Sequence, residues 1–521
     1  MDAARSPQKS APGGRGAARC LWILALAPLA LTPLLETPAA PGDPLAELAR
    51  DLRNDRPETR RRAVRALTGV GTREAWLLLI GALEDGDSRV ADEAELRLAQ
   101  LAEPGLTAQL FGRLGLESRR EAVRLRVAEA FGRFEVELQA DLLARKISGR
   151  EPELARMLFW SAERLASSGK LAGSRDGLIA AARSILRSRY APALRASALL
   201  ALAALDPTGV RAAADAAALE RAPELRCAAL LALQRAAPSE VGRWARKLAA
   251  DAEPSVRQQA LETLEALADR PSLEVLVQRL ELEERERLRW RAVEILQRLS
   301  GFKHRLDPRP WRDWVAQLPP DWTPLIGSVG AGGPAREVPQ TVSRGLIGLE
   351  LISDRIAFLF DFSGSMWMPM ADGRTPKQIV DEKLRQALES LSEDVEFNIV
   401  PFTNEPLPWE KKLVPSKRAN VKRALQFFSD CKAVGKGNVY DAALLAMADP
   451  AVDTIVVLTD GVPTGGLHAH MDLVAPLLLE RNRFRKVVFD TILVDAPGGA
   501  KRRWEAFSAA TGGRCVEVAL R

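Results

Sequence analysis

The sequence predicts a chain of two folded parts, an array of α-helical repeats followed by a doubly wound α/β domain. One observation behind this prediction is a short helical motif, centred on an alanine, that recurs every 31 or 32 residues. Another is a series of strand-length apolar runs that alternate with helix-length segments from about residue 345 onward. Because parallel strands are usually connected through helices, this alternation favours a parallel sheet that is buried on both faces.

The length and composition are those of a soluble multidomain protein. The chain has 521 residues, of which 47% are hydrophobic and 27% are charged. This balance excludes disordered, collagen-like and polytopic membrane proteins. At about 150 residues per domain, the length corresponds to roughly three to four domains. The formal net charge of +6 is small for so long a chain and does not indicate nucleic-acid binding.

Histidine and cysteine are too scarce for the usual zinc and thiol sites. The chain has three His and four Cys, and no Cys-x-x-Cys pair, so oxygen ligands are expected for any metal. If Cys20 is lost with an N-terminal signal, then Cys227, Cys431 and Cys515 remain. These three allow at most one disulfide within the chain, for which Cys431–Cys515 is a possible pair.

Residues 1–40 have the pattern of an export signal. Four basic residues precede the apolar segment 21–35, and the small residues Ala39 and Ala40 follow it. The apolar segment has 15 residues, two of them proline, whereas a membrane-spanning helix needs about 20. We therefore expect cleavage and export to the periplasm or the extracellular space. If the segment is not cleaved, residues 21–35 would be a membrane anchor; a disordered tail before a short buried helix is the remaining interpretation.

Residues 44–300 are predicted to form an α-solenoid. Small residues at the motif centres let neighbouring helices approach closely, and the flanking Leu and Val form an apolar face that one repeat cannot bury alone. The strongest copies are centred on Ala198, Ala229, Ala260 and Ala292, which are 31, 31 and 32 residues apart. Weaker copies are centred on Ala63, Ala94, Ala128 and Ala162.

The apolar-Arg-x-x-Ala-apolar register of this region resembles the HEAT and armadillo-like repeat families. The resemblance implies an extended surface that holds other macromolecules, and a rigid spacer that positions the C-terminal domain is the alternative. The motif arginines suggest a basic recognition stripe, but we expect them to bond neighbouring turns or to be solvated. These arginines are Arg195, Arg226, Arg257 and Arg289.

Residues 301–344 are predicted to be a cap and linker rich in Trp, Pro and Gly. Trp311, Trp314 and Trp322 follow the last repeat, where a solenoid must cover its terminal apolar face. We expect them to form that cap, with a platform for ligand stacking as the alternative. The glycine-rich segment 327–333 is predicted to be a hinge or loop.

Residues 345–521 are predicted to be the α/β domain, with oxygen ligands at one edge of its sheet. Asp361, Ser363 and Ser365 directly follow the first predicted strand, and Asp460 follows the third. Parallel strands bring both turns to the carboxyl edge of the sheet. Carboxylates and hydroxyls suit Mg²⁺, Mn²⁺ or Ca²⁺. The predicted strands are 355–360, 395–401, 454–459, 487–494 and 515–518, and the predicted helices lie near 375–392, 417–429, 439–448, 469–482 and 500–510.

The Asp-x-Ser-x-Ser pattern, joined to Leu458-Thr459-Asp460-Gly461, resembles the metal-ion-dependent adhesion site of von Willebrand factor A domains. The resemblance implies that both serines ligate the ion directly, that the aspartates bind mostly through water, and that a partner's Asp or Glu carboxylate fills the open position. The family's second metal loop carries a threonine where this chain has Gly437. Water or Asn438 is a possible substitute, and Lys436 is expected to weaken cation binding by repulsion.

Two pairs of side chains near these loops are further candidates. Trp367 and Met368 follow the metal loop and form either an apolar rim for a partner or a packing layer under the loop. His468 and His470 lie at a predicted helix start, and residues two apart face different sides of a helix. We therefore do not expect the two histidines to share a metal.

The sequence does not predict an enzyme. Phosphatases of the haloacid dehalogenase kind need a second Asp where this chain has Ser363, and the chain lacks a Gly-x-Ser-x-Gly elbow. Lys436 is not preceded by the glycine pattern of a phosphate-binding loop. Hydrolysis, the third possibility, would have to depend on Asp361 or Asp460.

We interpret the sequence as an exported binding or scaffold protein whose composition is typical of a GC-rich bacterial genome. Its metal site is predicted to engage an acidic group on a protein partner, while the solenoid offers a surface to a second protein. Nucleic acid is not an expected partner, and a membrane is one only if residues 21–35 are retained. The alternative is a metal-independent assembly factor with a degenerate metal site.

Overall fold

The computed structural model describes residues 43–319, Trp322, Pro324, 345–370 and 372–518. The predicted export signal and the glycine-rich segment 327–333 lie outside these residues. Among the helices of the described part, none is both long and apolar enough to cross a membrane.

The described chain consists of a helical array followed by an α/β domain, as the sequence predicts. The helices of the array are α1 (Pro44–Asp51), α2 (Pro57–Val70), α3 (Arg73–Gly81), α4 (Ser88–Leu98), α5 (Pro104–Leu110), α6 (Glu121–Phe131), α7 (Ala140–Lys146), α8 (Pro152–Ser167), α9 (Asp176–Arg187), α10 (Pro192–Leu205), α11 (Arg211–Ala217), α12 (Pro223–Ala236), α13 (Pro238–Leu248), α14 (Pro254–Leu267), α15 (Arg270–Leu282), α16 (Glu286–Ser300) and α17 (Pro308–Ala316). A 3₁₀ turn at Ala82–Glu84 and the paired strands β1 (Leu138–Gln139) and β2 (Leu171–Ala172) complete the array.

The α/β domain begins with the hairpin β3 (Gly345–Leu346) and β4 (Leu349–Glu350). Its sheet strands are β5 (Arg355–Asp361), β6 (Glu396–Phe402), β7 (Val414–Pro415), β8 (Thr454–Thr459), β9 (Val488–Val494) and β10 (Cys515–Val518). Its helices are α18 (Pro376–Glu389), α19 (Arg418–Asp430), α20 (Val439–Ala448), α21 (Met471–Arg481) and α22 (Gly498–Ala510), with a 3₁₀ turn at Gly364–Trp367.

The motif alanines form the tight seam of the solenoid. All eight are at most 1% exposed, and they lie in the even-numbered helices from α2 to α16. These helices stack on one another, for example α8 on α10 and α10 on α12, because a methyl group leaves room for close approach. Many of them begin with proline, among them α2, α10, α12 and α14, where the missing N–H has no helical partner to lose.

Three of the four motif arginines, Arg195, Arg226 and Arg257, connect successive repeats through side-chain hydrogen bonds. Arg226 donates to Asp251 at 2.8 Å and to the carbonyl of Arg221 at 2.6 Å. Arg257 repeats this arrangement, with Glu283 as its carboxylate partner at 2.7 Å. The expectation that these arginines bond neighbouring turns is met at both positions.

The tryptophan cluster covers the end of the solenoid. Trp311 is fully buried on α17, and its indole N–H donates to the carbonyl of Arg305 at 2.9 Å. The ring of Trp314 lies edge-on to those of Trp311 and Trp322, with centroids 6.2 and 5.7 Å apart. Because Trp311 has no exposed ring face, it acts as a cap and not as a platform for ligand stacking.

The sheet of the α/β domain has six strands in the order β10-β9-β8-β5-β6-β7. The five predicted strands are all present and mutually parallel. The short edge strand β7 runs antiparallel to β6 and was not predicted, because two residues ending in a proline carry no strand pattern.

Cys431 and Cys515 are free thiols in this structure, as is Cys227, so the possible disulfide does not form.

The α/β domain packs directly against the stacked helices of the solenoid. Buried apolar side chains of both parts form one continuous cluster. Ion pairs cross the boundary along the solenoid: Glu163 of α8 binds Arg483 at 2.7 Å, and Glu262 of α14 binds Lys486 at 2.7 Å. Further along, Arg287 of α16 donates to the carbonyl of Gly512 at 2.6 Å. The solenoid face made by these helices is therefore occupied by the chain's own C-terminal domain.

Candidate metal centre

The four predicted ligands lie together at the carboxyl edge of the sheet. Asp361 ends β5 and Asp460 follows β8, and these strands are parallel neighbours. The Ser365 hydroxyl donates to Asp460 Oδ2 at 2.7 Å across 95 residues of sequence. The hydroxyl oxygens of Ser363 and Ser365 are 3.0 Å apart. Two hydroxyls and two carboxylates therefore form a single oxygen cluster.

Asp361 is the buried member of this cluster. Its side chain is almost fully enclosed, and it accepts hydrogen bonds from the Thr459 hydroxyl at 2.8 Å and from the Ser363 N–H at 2.9 Å. Burial, and next the charge of Asp460, raise the pKa of Asp361 to about 6. Two carboxylates this close repel each other, and a cation placed between them would relieve that repulsion.

The second loop reaches the cluster through Gly437. A Cβ atom at this position would lie 3.1 Å from Asp361 Oδ2, so residue 437 faces the cluster and contributes no side chain to it. The Gly437 N–H donates to the hydroxyl of Thr464 at 2.8 Å. Thr464 was not predicted, although it lies four residues after Asp460 in the same turn.

The Asn438 side chain makes hydrogen bonds within the local fold. It caps α20 by accepting from the Asp441 N–H at 3.2 Å. Its amide donates to the carbonyl of Asn404 at 2.9 Å and to Asp441 Oδ2 at 2.8 Å. Since these contacts use both ends of the amide, Asn438 is a support for the loop rather than a substitute ligand.

The Lys436 side chain reaches the solenoid. Its ammonium lies 3.2 Å from Asp87 Oδ2, at the start of α4. The positive charge that the sequence places next to the metal loop is therefore paired with a carboxylate of the other part of the chain.

The donor set fits a hard divalent cation. All four side chains offer oxygen, and the serine hydroxyls reach the surface of the domain, which leaves an approach for water or for a partner's carboxylate.

Residues 354–496 match the family of von Willebrand factor type A domains. This part of the chain is a von Willebrand factor type A domain. The match agrees with the strand order, the Asp-x-Ser-x-Ser turn and the position of Asp460. Such domains mediate protein–protein interactions, and that general role is the one the match indicates.

Similar proteins share this domain and little else of the chain. Human inter-alpha-trypsin inhibitor heavy chain H4 is 34% identical over 131 residues, which cover 23% of this chain and 13% of that protein. Human von Willebrand factor A domain-containing protein 3B is 30% identical over 125 residues, covering 24% of this chain and 9% of that protein. The chain thus spans less than a fifth of the length of these curated relatives.

A solved structure of proximal thread matrix protein 1 from the mussel byssus is 18% identical. It covers 31% of this chain and 40% of its own, with a TM-score of 0.25. With a TM-score this low, the similarity supports no conclusion about the present chain.

The two candidates for a partner rim lie in different environments. Trp367 packs inward, edge-on to Phe362 with ring centroids 5.9 Å apart. Met368 is 67% exposed beside the serine turn, and Val462 is 47% exposed beside Asp460. Met368 therefore fits an apolar rim, with Val462 as a member that the sequence analysis missed, whereas Trp367 supports the loop from below.

His468 and His470 do not share a site. His470 caps α21 by accepting from the Asp472 N–H at 3.2 Å. His468 is buried against the solenoid, 3.3 Å from Asp92 and 3.6 Å from Glu129. Asp92 and Glu95 lie close enough to His468 to suggest a metal cluster, but the Arg126 guanidinium already bonds both carboxylates, at 2.7 and 2.9 Å.

Proposed function

We propose that this protein is a non-enzymatic binding scaffold whose A domain captures a carboxylate of a protein partner through a divalent cation. Asp361, Ser363, Ser365 and Asp460 would hold Mg²⁺, or Mn²⁺ or Ca²⁺ in its place. The observation that carries the proposal is the convergence of these oxygens at one sheet edge, with Ser365 bonded to Asp460 at 2.7 Å. The bound cation supplies an open coordination position for an Asp or Glu side chain of the partner.

The solenoid in this proposal holds the A domain in place. Its stacked helices contact the A domain through part-buried ion pairs such as Glu163–Arg483, which supports the spacer role over that of a free binding face. A second protein would then bind the remaining surface of the solenoid. Capture at the oxygen cluster is the primary interaction.

A binding role without catalysis is supported by the surroundings of the oxygen cluster. His468 is enclosed at the domain boundary and His470 caps a helix. His304 lies against Trp311 of the solenoid cap, with ring centroids 5.0 Å apart. None of these three histidines is placed to act as a general base on a ligand at the cluster.

Export remains part of the proposal on the pattern of residues 1–40. The protein would be bacterial and would act in the periplasm or outside the cell. Expression in a Gram-negative host, followed by mass spectrometry of the periplasmic fraction, tests this. A chain that begins near residue 41 is expected, and a full-length chain in the cytoplasm or membrane would contradict export.

A metal-independent assembly factor is the second candidate function. Gly437 offers no hydroxyl, and Ser363, Ser365 and Asp460 already bond one another. A closed hydrogen-bonded cap of this kind can stabilise the sheet edge without an ion.

Calorimetric titration of Mg²⁺ and Mn²⁺ into the EDTA-treated full chain separates the two candidates. We expect one cation per chain with a dissociation constant in the millimolar range or below. The double change Ser363→Ala and Ser365→Ala is expected to weaken binding at least tenfold, while Ser429→Ala, on an exposed serine of the same domain, leaves it unchanged. Absence of saturable binding at millimolar cation would favour the assembly factor.

A further inference from the structure

A charged pair joins the solenoid to the second loop of the metal site. Lys436 Nζ lies 3.2 Å from Asp87 Oδ2, across 349 residues of sequence. The next residue along the chain, Gly437, is the one that faces Asp361. The pair therefore joins the solenoid to the loop that completes the oxygen cluster.

Asp87 is a fixed and ionised acceptor. Its side chain is 7% exposed, and it caps α4 by accepting from the Arg89 N–H at 3.0 Å. Burial raises its pKa, but hydrogen bonds and charge from Arg89 and Lys436 outweigh burial and bring the pKa down to about 2. Asp87 is thus ionised at neutral pH.

Gly465 leaves space for the lysine side chain to reach Asp87. A Cβ atom at Gly465 would lie 2.7 Å from Lys436 Cβ and 3.2 Å from Lys436 Cδ. The aliphatic part of Lys436 therefore runs closely over the backbone of the Asp460 turn. This packing and the ion pair direct the lysine side chain to Asp87 of the solenoid.

We propose that Asp87 of the solenoid is a positioning residue for the A-domain metal site, because it holds the Lys436 ammonium away from the cation. The inference rests on the proposed function, since it concerns the affinity of the same site. A lysine next to the metal loop would otherwise repel a divalent ion. Docking of the A domain on the solenoid and cation binding are then coupled, and each favours the other by the same factor.

A double-mutant cycle on the full chain tests the coupling. Mn²⁺ and Mg²⁺ affinities are measured by calorimetry at low salt for the wild type, Asp87→Asn, Lys436→Gln and the double variant. Asn keeps the capping acceptor of α4. The change also takes one carboxylate oxygen from the Arg89 guanidinium, which bonds both oxygens of Asp87 at 2.9 and 3.0 Å, so the comparison with the double variant isolates the part of the effect that acts through Lys436. Asp85→Asn, which removes a carboxylate two residues away that binds Arg60, is the matched control.

The proposal predicts that Asp87→Asn weakens cation binding by about three- to tenfold, the size expected for partly screened charges several ångströms apart. Asp85→Asn should have a smaller effect, and adding Lys436→Gln to Asp87→Asn should restore the affinity of Lys436→Gln alone. This restoration is a result that a purely structural role of Asp87 would not produce.

Three other outcomes overturn the proposal in distinguishable ways. If the wild type binds a cation and Asp87→Asn binds it equally well, the coupling is wrong and the metal site stands. If Asp87→Asn weakens binding but Lys436→Gln does not restore it, Asp87 acts on the site by another route. If the wild type binds no cation, the proposed function itself fails.

Discussion

Gly437 stands where the family's second metal loop carries a threonine. The backbone of residue 437 faces Asp361, and a Cβ atom there would lie 3.1 Å from Oδ2 and 3.3 Å from Oδ1. These distances are tight but leave room for a small side chain after a shift of a few tenths of an ångström. A hydroxyl at this position would add a fifth oxygen-bearing side chain to the cluster.

Gly437→Thr is therefore expected to strengthen Mg²⁺ binding, by about tenfold relative to Gly437→Val. The two side chains are nearly the same size and differ by one hydroxyl, so their comparison isolates the added ligand from the steric effect. Calorimetric titration of both full-length variants measures the difference. Equal affinities would show that the cation does not reach residue 437.

At the scale of the elements, the contact between α8 and the A domain carries several ion pairs, in which Glu163 is buried and Arg483 is 25% exposed. Glu163 binds Arg483 at 2.7 and 2.8 Å and Arg235 at 3.1 Å. The neighbouring pair Arg156–Glu480 is buried. Removing one member of such a pair leaves the other charged and without its partner inside the protein.

Glu163→Gln is expected to lower the free energy of unfolding by about 2 kcal/mol, since the part-buried Arg483 guanidinium would lose its charged hydrogen-bond acceptor. Urea denaturation followed by tryptophan fluorescence measures this change. The control is Asp141→Asn, which breaks an exposed ion pair with Arg145 on α7 and should cost less than about 0.5 kcal/mol. Similar losses for both variants would mean that the α8 contact does not hold the two parts together.

At the scale of the whole molecule, a buried polar cluster joins the first repeats to the A domain. His468 of the A domain packs among three carboxylates and two guanidinium groups of the solenoid. With all five ionised, these groups carry one net negative charge, so one proton bound within the cluster makes it neutral. The solenoid members are Asp92, Glu95, Arg126, Glu129 and Arg133, and the Tyr440 ring of the A domain covers the imidazole.

Glu129 and His468 of this cluster bind protons more tightly in the folded chain. Burial, and next the charge of Glu95, raise the pKa of Glu129 to about 7. Burial lowers the pKa of His468, but Glu129, Asp92 and Glu95 outweigh it, and the net pKa is raised. The contribution of Glu129 is present below its unfolded pKa near 4.5 and lost as pH rises to about 7. The contribution of His468 is lost as pH rises above the ordinary range of histidine pKa values.

The stability of the chain is therefore expected to fall as pH rises from about 5 to 8. Urea midpoints measured across this range test the sign. Glu129→Gln keeps the shape of a side chain whose Oε2 has no hydrogen-bond partner and should flatten the dependence between pH 5 and 7. A midpoint that rises with pH in the wild type would contradict the charge assignment.

Much of the fold follows from local patterns, whereas the environment of the site does not. The strand Thr454–Thr459 is predicted to the residue, because a buried apolar run ends abruptly at Asp460. The eight motif alanines are likewise predicted, since their spacing repeats. The direction of Lys436 depends on Asp87, 349 residues away, and the contact of Thr464 with Gly437 depends on how two loops fold. Neither pairing leaves a pattern in a single sequence.

The central claim is that one divalent cation binds between the serine turn and Asp460. The most direct test is a crystal structure of the full chain grown or soaked in millimolar Mn²⁺, with anomalous difference density calculated at the manganese edge. We predict one peak within bonding distance of the Ser363 and Ser365 hydroxyls, at about 2.0–2.3 Å for a hard cation of this size. A map without a peak at this edge of the sheet, at a concentration that saturates other Mn²⁺ sites, would contradict the account.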